Sequence, residues 1–155
     1  QADLDIIRKA GSVTVHCPDA TTNIIAGIMP AKALSEKGVP IAMGCDIGGG
    51  QHAAVYRQVA RAVQLSKLKE FYEPEGNGSI TFAQAFHMAT KAGGSVFDRA
   101  GSLEKGYRFN ALVLDGLEDE GFTLSPEERA ERFCYAGDDR NIIGRFIDGK
   151  EIILP

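Results

Sequence analysis

The chain has only three cysteines, Cys17, Cys45 and Cys134, an odd number with no CxxC spacing among them. That suits a reducing cytoplasm better than a disulfide framework or a structural zinc site. A basic excess is also missing. The formal net charge is −4, and the one cation-rich stretch, Arg57, Arg61, Lys67 and Lys69, is interleaved with Val59, Val63 and Leu68. Such a stretch reads as an amphipathic helix with a solvated face, which argues against a nucleic-acid partner. No apolar run approaches the ~18 residues of a membrane span, and no signal-peptide pattern opens the chain. The first residue is Gln1 and not an initiator Met, so a processed or trimmed piece is expected. The length of 155 residues suits about one domain with a real core, and 44% hydrophobic with 25% charged residues is ordinary for a soluble globular protein.

What is present centres on Pro40-Ile41-Ala42-Met43-Gly44-Cys45-Asp46-Ile47-Gly48-Gly49-Gly50. A continuous apolar run is expected where both faces of a parallel strand are covered, and Pro40 suits its first position. Asp46 then falls at the strand's C-terminal end, where barrels and open α/β sheets place their chemistry, and the glycines let the backbone turn or approach a ligand closely. An Asp before Gly also suits a simple turn or helix cap.

Upstream, residues 2–10 read as a helix with Leu4, Ile6 and Ile7 inward and Gly11 as its stop, and residues 13–16 as a short strand. Pro18 ends that strand, and residues 19–23 read as a polar loop. A helix over 30–37, closed by Gly38, leads to the strand at 40–44. The order is that of a βαβ unit with parallel strands and a right-handed crossover, which puts His16 and Asp46 at one sheet edge. Downstream, the spacing of Val55, Val59, Val63, Leu65 and Leu68 predicts a long helix over 53–71, and residues 73–79 form a surface loop. Thr81 caps a helix over 82–91 with an apolar stripe of Phe82, Ala85, Phe86 and Ala89, leaving His87 packed or at the surface. A helical turn follows at 95–99. Then come a strand at 108–114, a Ser125-capped charged helix at 126–135 and a hairpin over 142–154 turning at Asp148-Gly149. These late strands form a small accessory sheet. No internal repeat or low-complexity tract is visible.

Five ordered stretches carry a family resemblance. They are Val15-His16-Cys17-Pro18-Asp19, Gly27-Ile28-Met29-Pro30, Gly44-Cys45-Asp46-Ile47-Gly48, Ala89-Thr90-Lys91-Ala92-Gly93-Gly94, and Gly101-Ser102-Leu103-Glu104-Lys105-Gly106. In this order, over residues 2–115, the chain resembles the C-terminal part of the cytosolic amidohydrolases, on the guanine deaminase branch. The resemblance implies an α/β fold, the C-terminal segment of a (β/α)₈ TIM barrel. Residues 13–16 and 40–44 would be its seventh and eighth strands, and a small accessory β-sandwich would take the last strands. The expected division is barrel segment at 1–100 and sandwich strands with the charged helix at 101–155.

The same resemblance implies a zinc enzyme performing hydrolytic deamination of guanine or a related purine. Asp46 would be both metal ligand and catalytic proton acceptor, with His16 and Asn23 as substrate-binding residues at the loop mouth. The latter two also suit plain loop hydrogen bonding. The family's zinc-binding histidines and its acidic glutamate would all precede Gln1, and one carboxylate falls short of the roughly three protein ligands of a catalytic zinc. The chain is therefore expected to be a fragment, an incomplete barrel and inactive alone. Its open sheet edge calls for self-association as a homo-oligomer or for the missing N-terminal portion as partner. Cys45 stands where many relatives have Thr or Ser, Thr21 where Asn is usual, and Asn110 where Asp is usual. The first two adjoin the pocket and keep open other amino- or chloro-heterocycle hydrolases. A noncatalytic truncated orphan domain forming oligomers is the remaining alternative. Cys17 and Cys45 read as small buried hydrophobes.

Overall fold

Two short parallel strands and the long helix laid against them set the frame of the computed structural model, which describes residues 2–75, 77–118 and 121–153. Strand β1 is Thr14–His16 and β2 is Ile41–Met43, paired in parallel with Thr14 opposite Ile41 and His16 opposite Met43. Helices α2 (Pro18–Asn23) and α3 (Ala31–Glu36) lie between them in sequence, preceded by α1 (Ala2–Lys9). All three β2 residues are buried, as the unbroken apolar run required.

Helix α4 (Val55–Tyr72) spans 18 residues and buries Val59, Val63 and Leu65, together with the polar Gln58 and Ser66. Ser66 is satisfied by two bonds: its hydroxyl accepts from the Ile80 amide at 3.1 Å and donates to the Val63 carbonyl at 2.8 Å. Helix α5 (Phe82–His87) begins with a capping box in which Thr81 and Gln84 satisfy one another's backbone amides, and it runs into a π turn over Met88–Ala92. A 3₁₀ turn, Ser95–Phe97, follows. Close backbone approach demands glycine here, because a Cβ on Gly94 would stand 2.0 Å from the Ala100 carbonyl oxygen.

The C-terminal third contains β3 (Ala111–Leu114), α6 (Pro126–Ala136), β4 (Ile142–Ile147) and β5 (Lys150–Glu151), with β4 central in an antiparallel sheet ordered β3-β4-β5. Ser125 and Glu128 form the capping box of α6. Asp148 and Gly149 both take positive φ, +51° and +76°, the twist a two-residue hairpin needs, and Arg108 Nε donates to Asp148 Oδ1 at 2.6 Å. The expected hairpin end at Leu154 lies outside the described residues.

Several apolar positions face outward. Ile6 is 65% exposed while Leu4 and Ile7 pack on the core, so α1 presents a narrower stripe than its sequence offers. Leu68 and Phe86, expected inward, are also exposed. One hydrophobic cluster joins Ile41, Met43, Val59, Val63, Ile80, Phe82 and Met88 to Phe133 and Cys134 of α6. The Phe133 ring lies 4.4 Å, centroid to centroid, from Tyr56 of α4. Packing is thus continuous across the boundary expected near residue 100. Phe133→Ala should lower the unfolding free energy by about 3–5 kcal/mol, read from urea denaturation, because the cavity would open between α4 and α6. A loss below about 1 kcal/mol would mean that α6 contributes little to that core.

Candidate active site

The parallel ladder ends where the chemistry-bearing residues begin. The Gly44 amide donates to the His16 carbonyl at 2.9 Å, so Cys17 and Cys45 leave the sheet side by side. A Cβ on Gly44 would lie 2.6 Å from Val15 Cγ1 and 2.9 Å from Cys17 Sγ, so those side chains would have to move to admit it. Asp46 then adopts φ +48°, a left-handed conformation that Asp tolerates better than most residues. Its carbonyl accepts from the Gly50 amide at 2.7 Å and the Gly49 amide at 3.1 Å, closing a tight loop. Gly50 is obligatory in that loop because a Cβ would stand 2.2 Å from the Cys45 carbonyl oxygen. The Asp46 side chain is exposed, and among the described residues nothing donates to its carboxylate.

Residues 19–23 are a helix, not the polar loop expected from their composition. Pro18 supplies a fixed φ at the first position, and Thr21 and Thr22 donate back to carbonyls one turn earlier. Asp19 is only 4% exposed. Its Oδ2 accepts from Gln58 Nε2 at 2.8 Å, and its amide donates to Gln58 Oε1 at 3.2 Å. Arg61 Nε stands 3.2 Å from Asp19 Oδ1, near enough for an ion pair but off the line of a hydrogen bond. The polar cluster at Asp19, Gln58 and Arg61 escaped the sequence reading. Its signals were Pro followed by an acid in a first helical turn, and Gln58 at helical spacing from the inward Ala62 and Leu65.

Asn23, at the end of α2, is exposed and donates Nδ2 to the Gly49 carbonyl and to Gln51 Oε1, each at 2.8 Å. His16 is 2% exposed at the end of β1, and its Nδ1 has no hydrogen-bond partner. Burial drives its pKa down from 6.5 to about 4, so the imidazole is neutral near pH 7. Cys17 and Cys45 are half-buried rather than fully buried. Burial raises both thiol pKa values, and the Asp46 carboxylate adds to the effect at Cys17, so both remain protonated thiols. The Cys45 thiol donates to the Ala53 carbonyl at 3.2 Å. His87 is exposed on α5, away from these strand ends.

Residues 2–152 match the Amidohydrolase family, and the chain belongs to it. It is 26% identical over 160 residues to the guanine deaminase of Dictyostelium discoideum, an alignment that takes in 97% of this chain and 35% of that one. The crystal structure of guanine deaminase from C. acetobutylicum, with guanine bound in its active site, superposes with a TM-score of 0.90 at 37% identity, over 99% of this chain and 36% of that one. An adenosine deaminase from Xanthomonas campestris with bound zinc shares the fold at a TM-score of 0.73 and 22% identity, over 97% of this chain and 34% of that one. The chain therefore spans 34–36% of the length of these relatives. Metal dependence is general in the family, and the donor set here fits a partial share in such a site. Asp46 offers an open carboxylate, while the described residues hold no cluster of three or more His, Cys, Asp or Glu that could bind an ion.

The buried neutral His16 generates a pH prediction. Its folded pKa lies below the unfolded value, so its stability contribution is complete above pH 6.5 and is lost as pH falls toward 4. The loss amounts to at most about 3 kcal/mol. Between pH 7.5 and pH 4.5, denaturant unfolding of the wild type should lose more stability than that of His16→Asn; equal losses would mean that His16 titrates normally in the folded state.

Proposed function

We propose that the complete protein is a cytoplasmic, zinc-dependent guanine deaminase that hydrolyses guanine to xanthine and ammonia, and that this chain supplies Asp46 to its active site. The observation that carries the reading is the bare Asp46 carboxylate at the C-terminal end of a parallel strand pair, in a chain whose whole length superposes on a guanine-bound deaminase. In this reading β1 and β2 are the seventh and eighth strands of a (β/α)₈ barrel. Residues 1–100 belong to that barrel and residues 101–155 to an accessory β-sandwich. The remaining metal ligands come from outside this chain.

When bound, zinc would make a water acidic enough to lose its proton near neutral pH. Asp46 is the ligand this chain provides. Its second role is to take the proton of the attacking water at a carboxylate oxygen and to return it toward the departing amine, so one water is consumed and one ammonia released. His16 and Asn23 are the proposed substrate-side residues. His16 Nδ1 is buried without a partner, so a purine edge would meet it only where the complete protein uncovers the end of β1. Asn23 braces the Gly49 carbonyl that flanks the Asp46 turn.

The isolated 155-residue chain should bind zinc weakly, fail to deaminate guanine, and self-associate or co-purify with the preceding portion, because each strand of its two-stranded sheet has an unpaired edge. Stoichiometric zinc with turnover, or a compact monomer across a wide concentration range in sedimentation, would contradict this. In the complete protein Asp46→Asn should cut turnover by at least about 10²- to 10⁴-fold with the fold intact, since an amide cannot accept the water's proton. A folded, zinc-loaded Asp46→Asn protein working at the wild-type rate would reduce Asp46 to a turn residue.

A further inference from the structure

A carboxylate buried where an apolar side chain would fit normally costs stability unless its partners are well placed. Asp19 is such a carboxylate, and its partner Gln58 is 0% exposed. Neither belongs to the reacting set proposed above. Their geometry is reciprocal: Gln58 accepts from the Asp19 amide and donates to the Asp19 carboxylate, gripping the first turn of α2 at two points from α4. The other end of α2 grips the Asp46 loop, through Asn23 Nδ2 to the Gly49 carbonyl and to Gln51. Between the two ends, Ala20 lies directly against Gly49. A Cβ built on Gly49 would meet Ala20 Cβ at 3.1 Å and Asp46 Oδ2 at 3.0 Å, so the helix, the glycine and the carboxylate occupy one close-packed spot.

From this arrangement we infer that Asp19 and Gln58 are positioning residues for Asp46: the buried pair locks α2 to α4, and α2 holds the glycine turn that aims the Asp46 carboxylate. The Asp46 turn needs this support because its left-handed residue is exposed and its side chain has no donor of its own among the described residues. A displacement near 1 Å in a reacting group can cost about 10²-fold in rate, which sets the size of effect a loosened α2 would produce.

The inference rests on the guanine deaminase reading, and the test separates the two. In the complete zinc-loaded protein, kcat and KM for guanine, zinc content and thermal midpoint are measured for Asp46→Asn, Gln58→Glu, Gln58→Met and the exchange Asp19→Asn/Gln58→Glu. Gln58→Glu sets two carboxylates against each other, and Gln58→Met removes both hydrogen bonds. Each should lower kcat about 10- to 100-fold with KM changed by no more than about twofold and zinc content retained. The exchange rebuilds the reciprocal pair with the carboxylate moved to α4, so that the backbone amide and the side-chain amide of the α2 position both donate to it. It should restore kcat to within about threefold of wild type. An inactive Asp46→Asn with both Gln58 variants at wild-type kcat overturns the inference alone. So does a folded exchange variant that stays as slow as Gln58→Glu, because a purely structural defect predicts no such rescue. If Gln58→Glu fails to fold, Gln58→Met and the exchange decide by the same criteria. Asp46→Asn at the wild-type rate overturns the functional reading itself.

Discussion

The structure depends on the parallel pairing of β1 with β2. Parallel strands cannot be joined by a tight turn, so the segment between them must leave the sheet and return, and both strands end on the same side. Here that side receives His16 and Cys17 from one strand and Gly44, Cys45 and Asp46 from the other. A Cβ at Gly44 would displace the Val15 and Cys17 side chains, and the turn that follows tolerates none at Gly50. These two steric constraints, one on either side of Asp46, place a single carboxylate at an exposed edge.

Helix α4 is the second structural member, and it works on two fronts. Its apolar face, with Val59 and Val63, is part of the same core as Ile41, Met43 and Phe133. Its buried Gln58 reaches across to Asp19 and so connects that core to α2 and, through Asn23, to the Asp46 turn. A buried amide is well suited to the task, since one donor and one acceptor on a short side chain fix both distance and orientation. An apolar cavity of about 470 Å³ lies elsewhere, between α4, α5, α6 and the small sheet, with Tyr56, Phe86, Leu112 and Phe133 among its walls. Its walls include none of the residues proposed for the active site.

Much of the architecture was legible in the residues. The buried β2, the capping boxes at Thr81 and Ser125, and the Asp148-Gly149 hairpin each rest on local chemistry that tertiary packing reinforced. Asp46 could be singled out because an apolar strand ended in a carboxylate followed by glycines. Helix α2 was hidden because Asp, Thr and Asn compete with the backbone for hydrogen bonds and favour turns. Its helical state is held instead by Pro18 at the first turn and by Gln58, a partner 39 residues from Asp19 that no local window contains. Ile6, Leu68 and Phe86 misled for the opposite reason: their periodicity was helical, but periodicity does not say how wide a stripe the core will cover. His16 was recognisable as a strand-end histidine, whereas its burial and unpaired Nδ1 depend on neighbours brought in from afar.

The proposed role of Asp46 is to bind metal in a site completed by residues outside this chain. Anomalous X-ray scattering at the zinc absorption edge, on crystals of the complete protein, tests it most directly. A single strong anomalous peak is expected within ligand distance, about 2.0–2.2 Å, of an Asp46 carboxylate oxygen. A zinc peak remote from Asp46, with the carboxylate facing only water, would contradict it.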